Sequence, residues 1–257
     1  MPTDAPRWAP PLLALQLLTR LPLPMLARLD PAQASAAMPR AMAWLPLAGT
    51  LVGAFTAVVF VAGCRVWPPP VAAGVALVLE AWLTGAFHED AVADFCDAFG
   101  GGAAGEEARR IMKDSRIGSY GALGLLLLVG LRWASIAGLP LALAAPTIVA
   151  AGAIGRLWAV ALLRLAPAGA SEAGLAGAIG GLPPSSLPMA VLLSLPGLVV
   201  LGTMRPWTLV AVAIASGAAL LWLARGIRTR LGGSTGDCLG FAAYAGQVLV
   251  GLAVLAR

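Results

Sequence analysis

The sequence predicts an all-α fold, a polytopic integral membrane bundle of about seven transmembrane helices, and three observations carry that expectation. Hydrophobic residues make up 60% of the 257 positions and charged residues only 11%, with a mean hydropathy of +0.88, a balance foreign to water-soluble domains. Apolar runs recur at about the length a helix needs to cross a hydrocarbon core of roughly 30 Å. The basic residues, all arginine except Lys113, fall on alternate connections between those runs.

Taken in order, residues 1–40 are proline-rich and read as a cytoplasmic or interfacial segment. Its apolar part, 12–18, is too short to span and reads as interfacial or re-entrant. No basic n-region followed by an apolar core and a small-residue cleavage site opens the chain, so no removable signal peptide is expected. Spanning runs follow near 41–64, 71–87, 117–138, 140–165, 187–203, 207–224 and 239–256. Segment 166–186 is small, glycine-rich and polar-tipped, a linker or a lid. The whole reads as a single membrane-embedded domain.

With the N-terminus inside, the inner segments carry Arg7, Arg20, Arg28 and Arg40, then Arg109, Arg110, Lys113 and Arg116, then Arg164, then Arg225, Arg228 and Arg230; the outer ones carry Arg65, Arg205 and Arg257. The asymmetry places an acidic catalytic loop, 88–116, and a second site loop, 225–238, on the cytoplasmic face. Glu80, Arg132, Arg156 and Arg164 fall within or at the ends of spans. Arg132 and Arg164 are placed to snorkel, whereas Arg156, in mid-span, is expected to face a polar cavity or to pair with an acid such as Glu80.

Segment 88–116 concentrates the chemistry. Glu89, Asp90, Asp94 and Asp97 are a third of the chain's 12 acidic residues, beside its one histidine, His88. On a helix, Asp90, Asp94 and Asp97 project from one side, and three carboxylates on one face repel unless a cation lies between them. Hard Mg²⁺ takes oxygen ligands and bridges a few carboxylates to phosphates, so these residues are candidate metal ligands. The alternative is a solvated acidic face. Gly100, Gly101 and Gly102 follow, permitting close backbone approach to a ligand. Around Arg225 to Gly240, Gly233, Ser234 and Thr235 could cradle phosphate and Asp237 complete a metal shell; a helix cap is the plainer reading.

Cys64, Cys96 and Cys238 form no paired framework, and His88 with Cys96 is too few ligands for zinc. The net charge of +5 suits anionic lipid and phosphorylated substrates. Nothing predicts nucleic-acid binding. Abundant Gly and Ala permit close helix packing and a homodimer.

The runs His88-Glu89-Asp90, Ala93-Asp94, Asp97, Ile111-Met112-Lys113-Asp114-Ser115-Arg116-Ile117-Gly118 and Gly233-Ser234-Thr235-Gly236-Asp237, with Leu18-Thr19-Arg20-Leu21-Pro22 and Trp44-Leu45-Pro46-Leu47-Ala48-Gly49, resemble the cobalamin synthase family, the adenosylcobinamide-GDP ribazoletransferases. Ala91 and Ala98 stand where that family often has glycine. The resemblance implies a bacterial inner-membrane transferase that joins adenosylcobinamide-GDP to α-ribazole or its 5'-phosphate with Mg²⁺, releasing GMP. It implies Glu89, Asp90, Asp94 and Asp97 on metal, and Lys113, Arg116 and Ser115 toward phosphate. Asp237 would be a further ligand or would orient the attacking hydroxyl, and His88 would be the base or an orienting partner. Lys113 and Arg116 could instead pair with Glu106, Glu107 or Asp114. Two rivals are a membrane phosphotransferase using CDP-activated alcohols, against which no Arg follows Asp90 before Arg109, and a transporter routed past Arg156 and Glu80.

Overall fold

The computed structural model describes residues 5–168, 177, 179 and 181–256. Among them are eleven α-helices and no strand: α1 Ala9–Leu18, α2 Pro31–Ala41, α3 Leu45–Gly63, α4 Pro69–Thr84, α5 Phe87–Gly100, α6 Gly105–Met112, α7 Ser119–Gly138, α8 Leu141–Leu165, α9 Ser186–Met204, α10 Pro206–Leu231 and α11 Gly236–Leu255. Six stretches are long and apolar enough to cross a membrane, α2 and α3 running together as one, and a seventh arises if α4 and α5 form one broken span. The middle of the expected linker or lid at 166–186 lies outside the described residues.

Apolar burial discriminates little between helices in lipid, so close backbone approach has to hold them together. Glycine supplies it. On α3 and α8, Gly49 faces Gly152 and Gly53 faces Ile148 so closely that an added Cβ would strike the opposite carbonyl. Between α8 and α11 a Cβ on Gly155 would likewise strike the Ala243 carbonyl, and one on Gly246 would crowd the Trp158 ring. Helix α8 is therefore the axis, with α3 and α11 on either side. Short α1 packs against α2 and α3 without crossing, as its length requires.

A polar latch crosses the apolar interior. Arg132 on α7 donates to both oxygens of Glu80 on α4, at 2.8 and 2.7 Å, and the Thr56 hydroxyl of α3 donates to Glu80 Oε2 at 2.6 Å. The guanidinium carbon lies 5.3 Å from the Tyr244 ring centre of α11. Glu80 is 3% and Arg132 4% exposed. Two expectations are thereby corrected: Arg132 pairs inside the bundle instead of snorkelling, and Glu80's partner is Arg132, not Arg156. A charge too deep to reach the interface lowers its cost by meeting the opposite charge on the next helix. Arg164, by contrast, is exposed near the end of α8 as expected.

Helix α4 has 16 residues, about 24 Å at 1.5 Å per residue, short of a full crossing. Gly85 at φ 73° and Ala86 at φ 57° both adopt the left-handed conformation, and α5 departs at 91°. The amides of Gly85 and Ala86 both donate to the Ala81 carbonyl, which seals the end of α4. The acidic stretch is thus a helix entering the bundle and not an exposed loop.

Candidate functional site

At the α4–α5 break a cavity of about 690 Å³ opens, bounded by Glu89, Asp90 and Asp94 of α5, by Thr19 and Arg20 after α1, and by Ser115 and Ile117 before α7. Asp90 and Asp94 stand one turn apart facing it, as the four-residue spacing requires. Close packing brings α11 beside them: a Cβ on Gly240 would strike Ala91, so the helices touch there, with Asp237 one turn earlier on α11. Asp94 lies within electrostatic reach of Asp237, Asp90 and Asp97.

Asp97 is committed differently. Its carboxylate accepts the backbone N–H groups of Gly118 and Gly121, both at 2.7 Å, at the start of α7. It caps that helix, favoured by the partial positive charge at the helix N-terminus, and the bare faces of Gly118 and Gly121 leave it room. Among the described residues no three His, Cys, Asp or Glu side chains converge as a preformed metal cage. The three-acid ligand set expected from spacing is therefore reduced at the cavity to Asp90 and Asp94, with Glu89 beside them.

Other expected positions sort clearly. Ser115 reaches the cavity. Arg116 is held by Asp114, its Nη2 donating to Oδ2 at 2.6 Å, and this bond holds the half-buried Asp114 carboxyl down to about 2. Lys113 is exposed at the C-terminal cap of α6. Gly100, Gly101 and Gly102 do not reach the cavity: they end α5, Gly102 in the left-handed conformation, and Gly100 makes room for the Tyr120 ring. Ser234 and Thr235 turn inward, because Ser234 Oγ donates to the Ala166 carbonyl at 2.6 Å and Thr235 Oγ1 accepts from the Cys238 amide at 3.3 Å, capping α11. Buried Gly233 precedes them. The plainer helix-cap reading is the one this loop adopts.

His88 is 4% exposed and lines a separate crevice of about 20 Å³ together with Arg156. It does not line the larger cavity, so the structure does not bring it to the acids' side as the expectation of a general base requires. Arg156 is 1% exposed, and none of its three guanidinium nitrogens has a hydrogen-bond partner among the described residues. The crevice it faces is lined, His88 apart, by apolar side chains and glycines, so neither the polar cavity nor the Glu80 pairing expected of it is what it meets among the described residues.

Sequence reasoning gave no role to Arg20, although Leu18-Thr19-Arg20 was legible as a motif. Its amide donates to the Leu83 carbonyl at 2.8 Å, and its guanidinium lies over bare Gly85. The signal was an isolated arginine between two apolar runs, with nothing in sequence to say that it meets residue 85.

The donor set at the cavity consists of oxygen atoms, as a hard cation requires, and Glu89 Oε2 is buried without a hydrogen-bond partner among the described residues. Mg²⁺ keeps several waters and binds through one or two carboxylates plus substrate phosphates. Two facing aspartates and an orphaned glutamate oxygen therefore fit it better than they would fit a closed protein cage.

Comparison with known proteins agrees in extent. Residues 10–255 match the family model described as cobalamin-5-phosphate synthase. Proteins named adenosylcobinamide-GDP ribazoletransferase are similar: one from Leptothrix cholodnii is 38% identical, covering 90% of this chain and 88% of its own. Others from Ralstonia nicotianae and Bradyrhizobium diazoefficiens are 35% and 37% identical, covering 93% and 84% of this chain and 91% and 83% of their own. No solved structure matches the chain. With a match that runs through α1 to α11 and takes in the acids of α5 and Asp237 of α11, the chain belongs to the cobalamin-5-phosphate synthase family and is a transferase whose apolar helices embed it in a membrane.

Proposed function

We propose that this enzyme transfers the phosphocobinamide group of adenosylcobinamide-GDP to α-ribazole or its 5'-phosphate. The observation that carries the reading is the pair Asp90 and Asp94 on one wall of the cavity with Arg20 and Ser115 among its other walls. An O–P bond forms between the ribazole hydroxyl oxygen and the corrinoid-side phosphorus. The phosphoanhydride breaks toward GMP, and the hydroxyl proton passes to a carboxylate.

Asp90, Asp94 and Glu89 would hold Mg²⁺, which when bound neutralises the phosphoryl oxygens and the charge that develops on the leaving phosphate. Arg20 grips the diphosphate from the opposite side. Ser115 donates to a phosphate oxygen, and Asp237, at the first turn of α11, orients the hydroxyl. Basic residues gather at this end of the bundle, where Arg109 donates to the Leu231 carbonyl and Arg230 to the Phe99 carbonyl. We therefore place this end on the cytoplasmic side of a bacterial inner membrane.

The test supplies purified protein in liposomes with the GDP-activated corrinoid and α-ribazole, and follows GMP. Release that stops with a chelator and returns with Mg²⁺ is expected; release indifferent to chelation removes the metal from the reading, and no release removes the reaction. A transport role is disfavoured because Glu80 and Arg132 neutralise each other within the packed bundle.

A further inference from the structure

On the other side of α5 from the acids lies a second groove, of about 530 Å³. Its floor is a stack of rings, Phe95 against Phe99 with centres 4.2 Å apart and Phe95 against Phe241 at 4.0 Å. Its rim is the inner end of α10, with Trp222, Arg225, Thr229 and Arg230. Helix α10 has 26 residues, about 39 Å, longer than a hydrocarbon core. Its basic last turns therefore reach the headgroup layer while Trp222, 77% exposed, sits at the boundary depth where tryptophan collects.

One ligand matches this gradation. The rings offer a dry trough for a hydrocarbon chain, and one to two turns along α10 from Trp222 basic and hydroxyl groups offer donors to a phosphate. Arg230 is fixed by its bond to the Phe99 carbonyl at 2.8 Å and by the Phe99 ring. Arg225 is exposed and has no acidic partner among the described residues. We propose that this groove binds one anionic phospholipid from the leaflet on the side of the acidic cavity. Arg225 and Thr229 hold its phosphate, and an acyl chain lies along Trp222 and the ring stack. A soluble phosphate compound would leave the trough unfilled, and a zwitterionic lipid would bring a choline toward the arginines.

The full-length protein in detergent is titrated with phosphatidylglycerol or phosphatidylcholine, and bound lipid is counted by native mass spectrometry. One retained phosphatidylglycerol per chain is expected, preferred over phosphatidylcholine by about fivefold or more. That preference should survive in Arg225→Lys and vanish in Arg225→Gln with Thr229→Ala. Both side chains are exposed, so the variants should fold, and Arg225→Gln alone provides a second reading. Trp222→Ala should weaken both lipids equally. Equal binding of the two lipids by the unaltered protein, or a preference unchanged in Arg225→Gln, overturns the proposal. So does displacement of the bound lipid by inorganic phosphate or glycerol 3-phosphate, which would make the groove a site for small anions.

Discussion

Asp94 and Asp97 are three residues apart, of one chemical type and on one helix, yet they perform different tasks. Asp94 faces the cavity among like charges, so its removal costs the protein little and the proposed metal much. Asp94→Asn should lower turnover by about a hundredfold or more while the melting temperature in detergent holds or rises. Asp97 accepts two amides of α7, and Asp97→Asn should cost about 2 kcal/mol of stability in a denaturant titration. Their type and spacing were legible in the sequence; their division of labour was not, because it depends on Gly118 and Gly121, which sequence reading saw as part of another segment. Arg156 presents the opposite puzzle, a charge held in the interior at a cost to stability with no hydrogen-bond partner among the described residues. Arg156→Met should raise the melting temperature and lower kcat/KM, with Arg156→Lys recovering part of the activity.

At the scale of elements, the decisive feature is the break between α4 and α5. Ala86 is the one residue other than glycine with positive φ among the described residues, a strain of roughly 1 kcal/mol held next to the cavity. Ala86→Gly should relieve it, raising stability by about that amount. Ala86→Val should misplace Glu89 and Asp90, because a β-branched residue resists that backbone; full activity in Ala86→Val would show that the bend angle is immaterial. The sequence located the apolar run at 71–87 and the acids after it, but a 91° turn leaves no mark on hydropathy. Glycine at 85 was the one local hint. The Glu80–Arg132 latch was hidden for a similar reason: hydropathy flags each charge as expensive, and only packing shows which pairs relieve the cost. Glu80→Ala should cost about 3–5 kcal/mol, and Glu80→Leu with Arg132→Met should restore much of it.

Across the whole molecule, composition and charge asymmetry were enough to expect seven crossings, a number the structure reaches when the broken pair is counted as one. What they could not supply was which helices form the axis. That depends on Gly49, Gly53, Gly152 and Gly155 each meeting the backbone of a neighbouring helix, and abundant glycine reads the same whether or not it meets a partner. Gly152→Val should therefore prevent accumulation of folded protein, measured as the monodisperse fraction after extraction, whereas Gly217→Val, with open space around it, should be tolerated.

The bond from Ser234 to the Ala166 carbonyl ties together two points of the chain separated by all of α9 and α10. Among the described residues, none that borders the acidic cavity comes from the stretch between them. The chain makes a detour through the membrane and returns to where it left, so it can be severed at its far turn near Arg205 without the two ends losing their register. Two co-expressed fragments divided there should reassemble into working enzyme.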